Sequence, residues 1–247
     1  MSAHAALPAI LRTFKNPAGL TRIVQVLLVL GILATVAASG FSAWSIGLAG
    51  QVESLAQYEV ALPVSYIVSN IGFILGWILL YTTTVVFFCI WIHRTCSNAW
   101  ALNAQPLDYT PAWSVGWYFI PIMNVWKPFQ AMCETWKASE ASEGHTEDRS
   151  AAPIVAWWWT CGLLAAAVTR AATRMNFNAE ALDQLVASEY LSIGSDLLNV
   201  AFHIAAFLLV TRLAAIQIQR TGQSPATATA PYPQPAILPV QTAPYTT

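Results

Sequence analysis

The chain has 247 residues, of which 56% are hydrophobic and only 9% are charged, with a formal net charge of −1 and a mean hydropathy of +0.53. A soluble domain carries roughly 25% charged residues because its outside must face water. That outside is missing here, which excludes a water-soluble enzyme or nucleic-acid-binding domain and indicates an integral membrane protein.

Residues 1–19 form a short tail that leads into the first apolar run, residues 20–44, containing "IVQVLLVLGILATVAASGFSAW". Further runs cover 64–92, 153–169 and 191–213. Each approaches or exceeds the ~20 apolar residues that cross a hydrocarbon core. They do not alternate as barrel strands would, so they are read as helices, whose backbone groups pair internally. The small residues of "TVAASG" raise the alternative of a cleaved signal peptide. The run is longer than a signal core, and the segment is read as a retained helix. Residues 20–220 therefore form a four-helix membrane domain, with one connecting loop at 45–63 and a second at 170–190 that holds a short helix near 179–186. From 221 onward "TGQSPATATAPYPQPAILPVQTAPYTT" has no charge and is rich in Pro, Thr and Ala, the composition of an extended or disordered tail.

Orientation follows from the basic residues beside each span. Arg12, Lys15, Arg22, Arg94, Lys127, Lys137, Arg149, Arg212 and Arg220 fall on one side, against only Arg170 and Arg174 on the other. Both termini and the middle segment are thus expected in the cytoplasm, with the chain in a bacterial cell membrane. Cys89, Cys96, Cys133 and Cys161 then lie in the membrane or on the reducing side, and no disulfide framework is expected.

The middle segment contains an apolar stretch, "PAWSVGWYFIPIMNVW", which is too short to cross and is broken by Pro121. Thr110 and Pro111 form a helix start, as N-cap and first helical residue, and Lys127–Pro128 opens a second. Phe129, Met132, Cys133 and Trp136 then recur on one face of an amphipathic helix. The spacing predicts a re-entrant or interfacial helical hairpin over residues 108–140, entering the membrane from the cytoplasmic side without crossing it.

These residues carry a resemblance. Trp91, Arg94, Asn98, Ala101 and Leu102, followed by "PAWSVGWYFIPIMN" and "KPFQAMCETWKAS", resemble the bacterial multi-pass membrane family defined by domain of unknown function 4328. The resemblance extends through the four spans and marks Gly116, Trp117, Pro121, Asn124 and Pro128 as the signature of the hairpin. It implies a multi-pass fold and transfers no activity, ligand or catalytic residue.

Three polar constellations stand out. Asp196, Asn199 and His203 share one face of the last span, with His203 near the midplane. Ionisable groups at such depth face a bundle interior or a water path. They are read either as a proton or ion relay or as packing contacts, with Arg170 as the ion-pair partner of Asp196. Arg94 and Asn98, just past the second span, suit an anionic lipid headgroup or the bracing of the broken hairpin backbone. Cys89, His93 and Cys96 have metal-ligand chemistry but not the spacing of a zinc module. Gly72 and Gly76 on the second span, and Gly162 with Ala166 on the third, are small-residue packing faces.

No phosphate-binding Gly loop, His-Glu-x-x-His or Gly-x-Ser-x-Gly motif occurs. No enzyme activity, cofactor or nucleic-acid partner is expected. The reading is a non-enzymatic scaffold, sensor or regulatory component acting through lipids, a protein partner or a second copy. The alternatives are a small oligomeric proton- or ion-coupled channel and an intramembrane metal protein or enzyme.

Overall fold

The computed structural model describes residues 13–102, 107–140 and 153–223. Among these residues it is helical, with no strand. Four helices are long and apolar enough to cross a membrane: α1 (Ala18–Ala49), α3 (Val64–Leu102), α6 (Pro153–Phe177) and α7 (Leu182–Gln223). Each continues beyond its apolar run. At 1.5 Å per residue α3 is ~58 Å long, about twice the thickness of a hydrocarbon core, so one end must project. The loop after α1 holds a short helix, α2 (Leu55–Ala61), capped by the Ser54 hydroxyl accepting from Gln57 N–H. The short helix expected near 179–186 is instead the first turns of α7, because no breaker separates it from the last span. The terminal tails, residues 1–12 and 224–247, and the stretch 141–152 with Arg149 lie outside the described residues.

Register follows from the side chains that meet. On α1 and α7, Gln25 meets Thr211, Gly31 meets His203, Ser39 meets Asp196 and Ser45 meets Glu189. Partners climb one helix as they descend the other, so the pair is antiparallel. On α6 and α7, Gly162 meets Phe202, Thr169 meets Ser195 and Asn176 meets Ser188. On α1 and α3, Thr21 meets Trp91, and Phe41 and Trp44 meet Phe73 and Tyr66. The helices run in the order α3, α1, α7, α6.

The core lies toward the end that carries residues 91–102 of α3. All buried residues of α3 are at or beyond Trp91, and no residue of its apolar window is buried. Val24, Leu28, Trp91, Trp136, Trp158, Leu209 and Leu213 form the buried cluster there. α1 supplies Val24 and Leu28 to it, so a chain cut at "TVAASG" would lose part of its own core.

The middle segment crosses this same end. α4 (Pro111–Gly116) has Pro at its first position, and the Thr110 hydroxyl accepts from Trp113 N–H. A single 3-10 turn, Trp117–Phe119, follows. Ile120 is extended (φ −100°, ψ 110°), as a residue before proline must be. After Pro121 the chain makes a second 3-10 turn, Met123–Val125, and enters α5 (Lys127–Glu140). α5 buries Pro128, Ala131, Met132, Thr135 and Trp136 against α3, α6 and α7. The segment is a non-spanning helical hairpin.

Candidate functional site: the hairpin and two polar seams

The hairpin is built on α5. The Glu134 carboxylate accepts from the backbone N–H of Asp108 (2.6 Å) and Tyr109 (2.9 Å), fixing the segment that enters the hairpin. The Tyr109 carbonyl accepts from Trp100 Nε1 (2.9 Å) and Cys96 Sγ (3.5 Å) of α3. At the tip, Trp159 Nε1 donates to the Val125 carbonyl (2.9 Å). Trp159 lies six residues after Pro153, so the tip reaches ~9 Å along α6 from its start. Tyr118 packs edge-on against Trp159. Its phenol is pushed well above the usual range by burial, with the Cys89 thiol nearby adding to the shift. The outer face of the tip is apolar and uncovered: Phe119 is 70% and Ile122 71% exposed, with Val125, Trp126 and Trp113 also exposed. Of the signature residues, Pro128 is buried and Trp117 stacks on Trp113 at 4.7 Å. Gly116 leaves room for that same ring: a Cβ there would sit 3.2 Å from Trp113. Pro121 and Asn124 are exposed in the turn.

Below the hairpin, a buried polar knot ties four segments together. Asn98 Nδ2 donates to the Lys15 carbonyl (2.9 Å) and to Gln217 Oε1 (3.1 Å), while Lys15 N–H donates to Asn98 Oδ1 (3.0 Å). Gln217 Nε2 donates to the Thr95 carbonyl and to Ser139 Oγ, both at 2.9 Å. Arg220 donates to the carbonyls of Ala138 (2.6 Å) and Leu102 (2.8 Å). Gln217 is fully buried and Asn98 is 1% exposed. Asn98 thus braces the chain with its whole amide and has no donor left for a headgroup. Arg94, one turn earlier, is half-buried and takes no part in the knot. Gln217 was legible in principle, since it continues the stripe Ala206, Val210, Leu213 as a polar residue at a core position. Thr95 and Ser139 carry no such signal.

The seam of α7 faces α1. Ser39 Oγ donates to Asp196 Oδ2 (2.7 Å), and Ser45 Oγ donates to Glu189 Oε1 (3.1 Å) and shares a 2.8 Å bond with the Tyr58 hydroxyl. Asn199 Nδ2 donates to the Ser195 carbonyl. His203 Nδ1 lies 2.7 Å from the Asn199 carbonyl, which can only accept, so Nδ1 carries the proton. Its ring fills the space over Gly31, where a Cβ would fall 2.5 Å from Nε2. The expected Asp196–Arg170 ion pair does not form. Thr169, not Arg170, faces α7, donating to Ser195 at 3.2 Å. The next residue is turned ~100° around the helix and is exposed.

The candidate metal set also fails to converge. Cys89 is half-buried, His93 exposed and Cys96 buried with its thiol turned to the Tyr109 carbonyl. Among the described residues no three His, Cys, Asp or Glu side chains are placed to hold a metal ion. Gly162 packs under Phe202, as a small-residue face should, whereas a Cβ at Gly72 or Gly76 would meet nothing within the chain.

The family model of domain of unknown function 4328 matches residues 68–215, from α3 through the hairpin to α7. The chain belongs to that family. The match takes in three of the four long helices and ends short of Gln217 and Arg220, so α1 and the far side of the polar knot lie outside it. No curated protein and no solved structure matches the chain.

Proposed function

We propose that the protein is a non-enzymatic component of the bacterial cell membrane, with both termini cytoplasmic, whose hairpin dips into the cytoplasmic leaflet and presents a docking element to lipids or to a protein partner. The observation that carries this reading is the exposed apolar tip, Phe119 to Trp126, held ~9 Å along a spanning helix by Trp159. A tip of this composition on a segment that cannot cross is suited to the boundary of headgroups and acyl chains. The orientation rests on the nine-to-two distribution of basic residues named above. The conducting alternative has less support, because Asp196, Asn199 and His203 already bond within the α1–α7 pair.

Two variants test the arrangement. Single cysteines at Thr13 and Glu53, in a background without the native four, are exposed to a membrane-impermeant maleimide in intact cells. Labelling of Glu53→Cys alone is expected; labelling of Thr13→Cys alone overturns the orientation. For the docking role, replacing Phe119, Ile122 and Trp126 with Ser should leave the protein folded in detergent but remove any lipid or protein that co-purifies with the native chain. Retention of the same companions by the folded variant overturns it.

A further inference from the structure

The sequence offers Arg94 and Asn98 for an anionic headgroup or for bracing the hairpin, and the knot commits Asn98 to bracing. A better-placed cation lies at the base of the hairpin. Lys127 Nζ stands 3.3 Å from the Tyr109 hydroxyl, 5.4 Å from the centre of that ring and 5.8 Å from the centre of the Trp117 ring. It forms no ion pair among the described residues. The carboxylate facing this loop, Glu134, has both oxygens occupied by the N–H groups of Asp108 and Tyr109. The Tyr109 hydroxyl in turn donates to Gln130. The Trp117 indole N–H is buried and has no acceptor among the described residues.

Two donors lacking a strong acceptor, one of them charged, therefore meet at the Trp117 indole, the ammonium 5.8 Å from the ring centre and the N–H at the ring edge. Leaving a buried donor unmade is costly, and an ionised acceptor is the group that repays it most. Lys127 also opens α5, whose N-terminal dipole end favours negative charge. A lysine ammonium rides on a flexible four-carbon stem, so the Lys127 ammonium can swing off the Trp117 ring to admit such a group. We infer that Lys127 and the Trp117 indole N–H form a binding site for the phosphate of an anionic lipid headgroup. The lipid, as against free phosphate, is selected by the apolar tip beside the site, so the inference rests on the hairpin lying at the membrane surface.

The test uses the full chain in detergent micelles, titrated with short-chain phosphatidic acid and followed by the thermal unfolding midpoint and by native mass spectrometry. Short-chain diacylglycerol, which lacks the phosphate, and inorganic phosphate at matched ionic strength are the comparison ligands. The native protein should bind phosphatidic acid and show a raised midpoint, with little response to the other two. Trp117→Phe keeps an aromatic ring against Trp113 but removes the indole N–H together with the pyrrole part of the ring, so each variant's response to lipid is read against its own unliganded midpoint. Both Trp117→Phe and Lys127→Gln should weaken binding about tenfold, whereas Lys137→Gln, on the exposed side of α5, should not. Undiminished binding by Trp117→Phe and Lys127→Gln overturns the site, as does an equal response to diacylglycerol. A response to inorganic phosphate without one to the lipid overturns the lipid assignment. Hairpin depth is measured separately by a spin label at Ile122, so a failure of the site is distinguishable from a failure of the membrane placement.

Discussion

At Gly31 a single absent side chain decides how closely two membrane helices approach. A methyl group there would collide with the His203 ring at 2.5 Å. Gly31→Ala should therefore destabilise the protein by about 1–3 kcal/mol, and His203→Ala in the same chain should recover most of that loss. Unfolding midpoints of the four variants in one detergent give the coupling directly; strict additivity would remove the contact from the account. Gln217 is the corresponding residue of the polar knot. Replacing it with Leu leaves the Asn98 amide, the Thr95 carbonyl and Ser139 without their partner, at a cost of about 2–4 kcal/mol. Cys133 on α5 gives a pH-dependent signal. Burial pushes its thiol up, with Lys137 partly opposing, so the neutral form persists to higher pH and thiolate is scarce near neutrality. Its alkylation by iodoacetamide, followed by mass spectrometry, should keep rising with pH past the ordinary thiol value of about 8.5. A plateau below that value contradicts the placement of Cys133.

The hairpin depends on few directional contacts at its tip, where the Trp159–Val125 bond is joined mainly by ring packing. Trp159→Phe should keep the ring contact and lose the bond, so that amide hydrogen exchange rises in 117–126 while α5 stays protected. Equal exchange across both segments would mean that the hairpin opens as a unit. The elements themselves were legible in the sequence. Apolar run length marked the four spans, Thr110–Pro111 and Lys127–Pro128 marked both hairpin helices, and Pro121 marked the break between them. What meets what across the helices was not legible. Ser39 and Gly31 are ordinary small residues within an apolar run, and nothing local shows that they receive Asp196 and His203. The choice of Thr169 over Arg170 turns on ~100° of helix rotation, which a span boundary uncertain by two residues cannot fix. The spans are shorter than the helices for a related reason. Hydropathy reports the membrane-crossing stretch, while α3 and α7 continue through polar residues that pack on α5.

Among the described residues, four long helices form a row that closes at the hairpin end, where α1, α3, α5, α6 and α7 share one core. The Gly72–Gly76 half of α3 contributes nothing to that core. Because α1 supplies one wall of the polar seam and part of the core, the first helix should stay on the mature protein. A tagged chain isolated from membranes should therefore retain residues before Ser39, which intact-mass measurement would show. The proposed entry of the hairpin into the leaflet without crossing it can be read directly as a depth by electron paramagnetic resonance. A nitroxide at Ile122, in the protein reconstituted into vesicles, should collide readily with oxygen and poorly with a water-soluble nickel chelate, and one at Lys137 should show the reverse. If the Ile122 label is as open to nickel as the Lys137 label, the hairpin lies in water and the account fails.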